Sequence, residues 1–180
     1  MLQLFAFDRV GIVLGDIYFL DPEPSPGQEG LERGVRLELR LMSQLDLEQP
    51  GTIYASQPIL IDEPLWRCDL LEAADSEPGS FNRTHHHPEM TDWEPADRVF
   101  DRALSSDPLA WLGDRLADVT PLLKDSGLEP EALADCAGQI RDCAPEIVAA
   151  AQRLLDRVWQ GVTPVPEANE PGALVRTGWL

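Results

Sequence analysis

The sequence predicts an α+β fold: an N-terminal antiparallel sheet of about five strands, followed by three to four C-terminal helices packed on one face of it. Three observations carry this. The first 72 residues hold short β-branched and apolar runs broken by turn residues, residues 96–161 switch to a 3.6-residue period, and strands precede helices instead of alternating with them. One domain of 180 residues is expected, divided into a β-rich half (1–72), an irregular histidine-containing segment (73–95), a helical half (96–161) and a proline-rich tail (162–180).

Leu2 to Phe7 is short and apolar, and Val10 to Leu20 is β-branched and aromatic on both faces, as expected of a central strand covered on two sides. Val35 to Leu41 alternates without error, with Val35, Leu37, Leu39 and Leu41 on one face and Arg36, Glu38 and Arg40 on the other. Between these runs, Asp21 to Gly34 carries three prolines and three glycines and reads as a long connection, of a length usually functional or disordered. Thr52 to Ile61 reads as a further strand in which Pro58 favours an edge or a bulge. In Leu65 to Leu71, Trp66, Cys68 and Leu70 would face the core while Arg67 and Asp69 face outward.

Each expected helix is announced by a proline at its first turn, where the missing N–H is no loss. Pro95 opens a stretch with Val99, Phe100, Ala103 and Leu104 on one side; Asp107 and Pro108 begin a helix whose stripe is Leu109, Leu112, Leu116 and Val119. Pro130 starts another, aligning Leu133, Cys136 and Ile140, and Pro145 a last one, with Ile147, Ala151, Leu154, Leu155 and Val158 as stripe and Gly161 to end it. Val162 to Gly172 is proline-rich, and Trp179 in the short apolar terminus either docks on the core or meets a partner.

Charge narrows the function. There are 32 acidic against 14 basic residues, for a formal charge of −18, spread as −10 over residues 1–90 and −8 over 91–180. Direct binding to nucleic acid would meet repulsion and is not expected. An evenly acidic skin serves solubility or meets a protein partner, conceivably a basic one. Met1 to Gly11 shows no basic leader, and no apolar run approaches the ~18 residues of a membrane span, so a cytoplasmic protein without membrane contact is expected. Cys68, Cys136 and Cys143 form no CxxC pair and read as reduced, buried thiols. The chain has no GxSxG elbow, no GxxxxGK[ST] phosphate loop and no GxGxxG after a strand, which excludes hydrolase, nucleotide and dinucleotide chemistry of those designs.

One segment is dense in chemistry: Phe81 to Glu94, FNRTHHHPEMTDWE, holds all three histidines, an arginine, several acids and a tryptophan. If Arg83 to His87 is extended, Arg83, His85 and His87 point one way and Thr84 and His86 the other. His85 and His87, about 6.6 Å apart along a strand, could then give two imidazoles to one divalent metal, zinc or iron, with Asp92 the third ligand and Glu89, Glu94 or His86 as substitutes. Alternatively Arg83, His85 and His87 form a cationic notch for phosphate or carboxylate, with His86 beside it and Trp93 as a pocket wall. In the plainest reading the histidines only staple the loop to Glu89, Asp92 and Glu94. Two functions follow: an acidic interaction module, or a small enzyme or ligand-binding domain built on the Arg/His cluster.

Overall fold

The computed structural model describes residues 1–44, 52–165 and 175–180. Strands β1 (Leu2–Phe7), β2 (Val10–Leu20), β3 (Leu31–Gln44), β4 (Ile59–Ala73) and β5 (His85–His87) form an antiparallel sheet in the order β1-β2-β3-β4-β5. A small hairpin of β6 (Met90–Thr91) and β7 (Glu94–Pro95) follows. Then come helices α1 (Arg102–Ser106), α2 (Pro108–Ala117), α3 (Thr120–Leu123) and α4 (Pro130–Trp159), and a last strand, β8 (Val175–Thr177), returns to pair with β2. The architecture is α+β, an N-terminal antiparallel sheet with α2 and α4 packed against it.

The alternation of the strands decides what the helices cover. Val10, Ile12 and Leu14 of β2, Val35, Leu37 and Leu39 of β3, and Trp66, Cys68 and Leu70 of β4 project to one face and are sealed by Leu112 and Leu116 of α2 and Ile140, Ile147, Ala151, Leu154 and Leu155 of α4. Each buried Leu or Ile there withdraws enough apolar surface to contribute roughly 1.5–3 kcal/mol.

Five expectations are corrected. Pro95 does not open a helix: it ends β7, and α1 begins only at Arg102. Thr52 to Ile61 is not a separate strand: residues 52–58 form turn and coil, and Ile59 to Ile61 begin β4, which continues through Leu65–Leu71 to Ala73. Pro64 is carried at a register irregularity, the place a residue without an N–H can occupy in a ladder. The fifth strand is instead His85–His87, inside the segment expected to be irregular. The two helices expected from Pro130 and Pro145 are one helix of 30 residues, because the apolar stripe runs unbroken from Cys136 through Ala144 and Ile147 to Val158 while Pro145 lies on the exposed side. That continuous burial outweighs the hydrogen bond Pro145 cannot donate. Finally, Arg67 and Asp69 do not face outward into solvent: with Arg36 and Glu38 they occupy the second face of the sheet, where Asp69, Arg36 and Glu38 are buried and Arg67 is largely covered.

Gly161 ends α4 with a left-handed φ of +69°, its N–H donating to the Val158 carbonyl and that of Val162 to the Arg157 carbonyl. Gly34 is required for a different reason. It has φ +153°, and a Cβ on it would stand 2.0 Å from the Leu70 carbonyl oxygen of β4. Gly34→Ala must therefore push β3 off β4 at the centre of the sheet, and should destabilise the fold by about 3 kcal/mol or more. Urea unfolding measures this; a loss below about 1 kcal/mol would show that the two strands part easily here.

Candidate metal centre

The second face of the sheet is where the chemistry gathers. The register sets Arg36 of β3 opposite Asp69 of β4, Asp69 opposite His85 of β5, and Arg67 opposite His87, so two polar rows across three neighbouring strands share one side. His86 lies on the other side, its ring 5.2 Å from that of Trp111 and 6.4 Å from that of Trp66. β5 is short because Pro88 follows it, and its outer edge is held by a two-way backbone bridge between His86 and Val99. That bridge draws the Pro95–Phe100 segment alongside β5 and brings Ala96, Arg98 and Phe100 to the site.

Asp69 is the centre of the group and has no exposed surface. Its Oδ1 accepts from Arg36 Nε at 2.6 Å, and Arg36 Nη2 reaches Oδ2 at 3.3 Å. Burial alone would raise the Asp69 carboxyl, but the Arg36 charge and the adjacent histidines hold it well below the usual carboxylate range. Burial likewise works against the Arg36 charge, and Asp69 more than restores it.

The two histidines are oriented by what their other nitrogens touch. His85 Nδ1 is 2.7 Å from the Arg83 carbonyl oxygen and His87 Nδ1 is 2.6 Å from that of Ala96. A carbonyl can only accept, so both Nδ1 atoms carry the proton, and Nε2 of each ring faces Asp69, able to donate to it when protonated or to offer a lone pair when not. His85 Nε2 lies 3.4 Å and His87 Nε2 3.5 Å from Asp69 Oδ2, and the three atoms are within 4.8 Å of one another. Three electron-rich atoms aimed at one point repel unless a cation or protons lie between them. The two Nε2–Oδ2 distances lie near the ~3.4 Å edge of a tetrahedral site with ligand bonds of 2.0–2.2 Å, and equally near a contact bridged by a proton. The backbone carbonyls on Nδ1, together with Arg36 on Asp69, hold the three side chains in one orientation, as outer hydrogen bonds do at metal centres.

Asp69, His85 and His87 open onto a cleft of about 580 Å³, whose further walls include Phe19, Arg36, Arg67, Arg98 and Phe100. Its volume falls within the range of small-molecule sites. The side-chain oxygen of Gln28, in the loop at its mouth, is buried without a hydrogen-bond partner among the described residues. Around the cleft, buried acids and arginines are interlocked: Glu38 receives Arg67 and Arg40, and Glu32 receives Arg98, which also reaches Asp21. Glu32 is raised by its burial, which outweighs the attraction of Arg98 and His85.

The structure brings His85 and His87 together, with Asp69 as their carboxylate, and leaves the other candidate residues apart. Asp92 sits in the turn between β6 and β7 at φ +55° and lines a separate hollow of about 290 Å³ with Glu89 and Met90. The carboxylate grouped with His85 and His87 is Asp69, not Asp92, which lines that other hollow. Trp93 is half exposed and stacks on Arg40, its ring centroid 5.2 Å from the guanidinium. Arg83 turns toward Glu32, 3.9 Å away, and its Nε is buried with no partner among the described residues. Trp179 is exposed. Asp69 had one sequence signal, its place on the strand face opposite Trp66, Cys68 and Leu70, but nothing in the order of residues ties that face to His85. Comparisons of the chain with protein-family models, curated proteins and solved structures find no match.

Proposed function

We propose that the chain is a mononuclear metalloprotein, in which Asp69, His85 and His87 hold one divalent cation, zinc or ferrous iron, at the floor of a small-molecule cleft. Of the two functions the sequence allows, this takes the second, the small enzyme or ligand-binding domain. The observation that supports it is the convergence of two imidazole Nε2 atoms and one carboxylate oxygen on a single buried point, with both Nδ1 atoms committed to carbonyls. Two histidines and one carboxylate suit zinc and non-haem iron, and three protein ligands leave positions open on the cleft side for water or substrate. There the cation would polarise a bound oxygen or acidify a bound water. Arg36 keeps Asp69 ionised and aimed.

The full chain, stripped with chelator and dialysed against Zn²⁺ or Co²⁺ at neutral pH, should retain one equivalent of metal after excess is removed. Retention of none, or of an amount unchanged when both His85 and His87 are replaced by Ala, would sink the reading.

A further inference from the structure

The cleft also carries a reading of what it admits. Its lining carries three arginines, Arg36, Arg67 and Arg98, and three acids, Asp21, Asp69 and Asp97, with Glu38 and Glu32 paired behind Arg67 and Arg98; the protein as a whole carries −18. A dication on Asp69, His85 and His87 would add two positive charges to this one recess, which favours entry of an anion. The cleft is also partly apolar. Phe100 is half exposed at its wall, its ring 5.4 Å from that of His85, and Phe19 lies under Arg36 at 5.9 Å. An aromatic ring left half in water beside a polar centre is poorly placed for the fold and well placed for a ligand.

Resting on the metal reading above, we infer that the ligand is a small organic carboxylate with an apolar or aromatic body. Its carboxylate completes the coordination of the cation and meets Arg67, and its body lies against Phe100. Arg67 is suited to this because only Nε and Nη2 are taken up by Glu38, which leaves further donors of its planar fork. Phosphate fits less well, since it has no surface to set against the two phenylalanines.

The test uses the Co²⁺-loaded full chain, whose visible absorption reports changes in the ligands of the metal. Benzoate should shift the spectrum saturably, and benzamide, its neutral counterpart, should not. Arg67→Met should weaken the benzoate response at least tenfold with cobalt stoichiometry unchanged. Phe100→Ala, at a half-exposed position that does not threaten folding, should weaken it comparably. The inference is overturned if the cobalt protein ignores benzoate, answers benzamide equally, or answers inorganic phosphate in its place. Failure to hold cobalt at all removes the metal reading as well, and the metal content, measured separately, tells the two failures apart.

Discussion

Replacing His85 or His87 by Ala is expected to weaken Zn²⁺ binding by more than about 100-fold, and replacing both to abolish it. Loss of an outer hydrogen-bond partner alone costs about 10–100-fold at such centres, and loss of the ligand itself costs more. Competition with a chromophoric chelator at constant pH measures the affinity. The measurement separates the two meanings the cluster could have. If the imidazoles served only to staple β5 to β4, the variants would lose stability without changing metal affinity, because the wild-type chain would have none to lose. His86→Ala is the matched control: its ring packs between Trp66 and Trp111 on the helix side of the sheet, so metal affinity should stay within about threefold of wild type while stability falls by the 0.5–3 kcal/mol usual for such a change. Equal loss of zinc from all three histidine variants would mean that the response reports unfolding. As protons compete with the cation for the same lone pairs, affinity should also decline on acidification.

Arg36→Met carries the second large effect, unequal in the two states of the protein. Without metal the substitution leaves the Asp69 carboxylate fully buried with its strongest counter-charge gone, a loss of roughly 3–5 kcal/mol. With a cation on Asp69 the charge has another partner, so the metal-loaded variant should recover much of that loss. Unfolding in urea with and without zinc shows it as a gain on metal loading larger in the variant than in wild type; an equal gain in both would mean that Asp69 does not share its charge with the ion. The pH dependence has a fixed sign. Asp69 is lowered in the folded state, so its contribution is complete above the ordinary Asp value of about 3.9 and is lost as pH falls through the lowered value. Removing Arg36 removes the main lowering influence. Acid unfolding of the metal-free variant should then set in at higher pH than that of wild type.

The elements with strong local patterning were legible in the sequence. The runs at 2–7 and 10–20 match β1 and β2, and Asp107 caps α2 through its side chain, which accepts from the Ala110 N–H. Pro145 is ambiguous in the sequence, because a proline at a first turn and a proline on the exposed side of a long helix look alike until the stripe on both sides is seen to be continuous. The face carrying Arg36, Glu38 and Asp69 was legible as a face. Its burial was not, since alternation assigns sides but does not say that the Asp21–Gly30 loop and the Pro95–Phe100 segment come to lie beside one of them. The site was half legible for the same reason. His85 and His87 fall on one side of any extended chain, whereas Asp69 joins them through a strand register closed by an eleven-residue stretch, 74–84, with no period to betray it.

β5 is three residues long and hangs on β4 at the rim of the sheet, yet it contributes both imidazoles, while the carboxylate belongs to the strand inside it. An ion gripped by all three would therefore act as a rivet across the seam, so that fraying of this margin and departure of the metal become a single event. Amide exchange at His86 and Val99, whose mutual bridge closes the seam from outside, would then run on the clock of ion release.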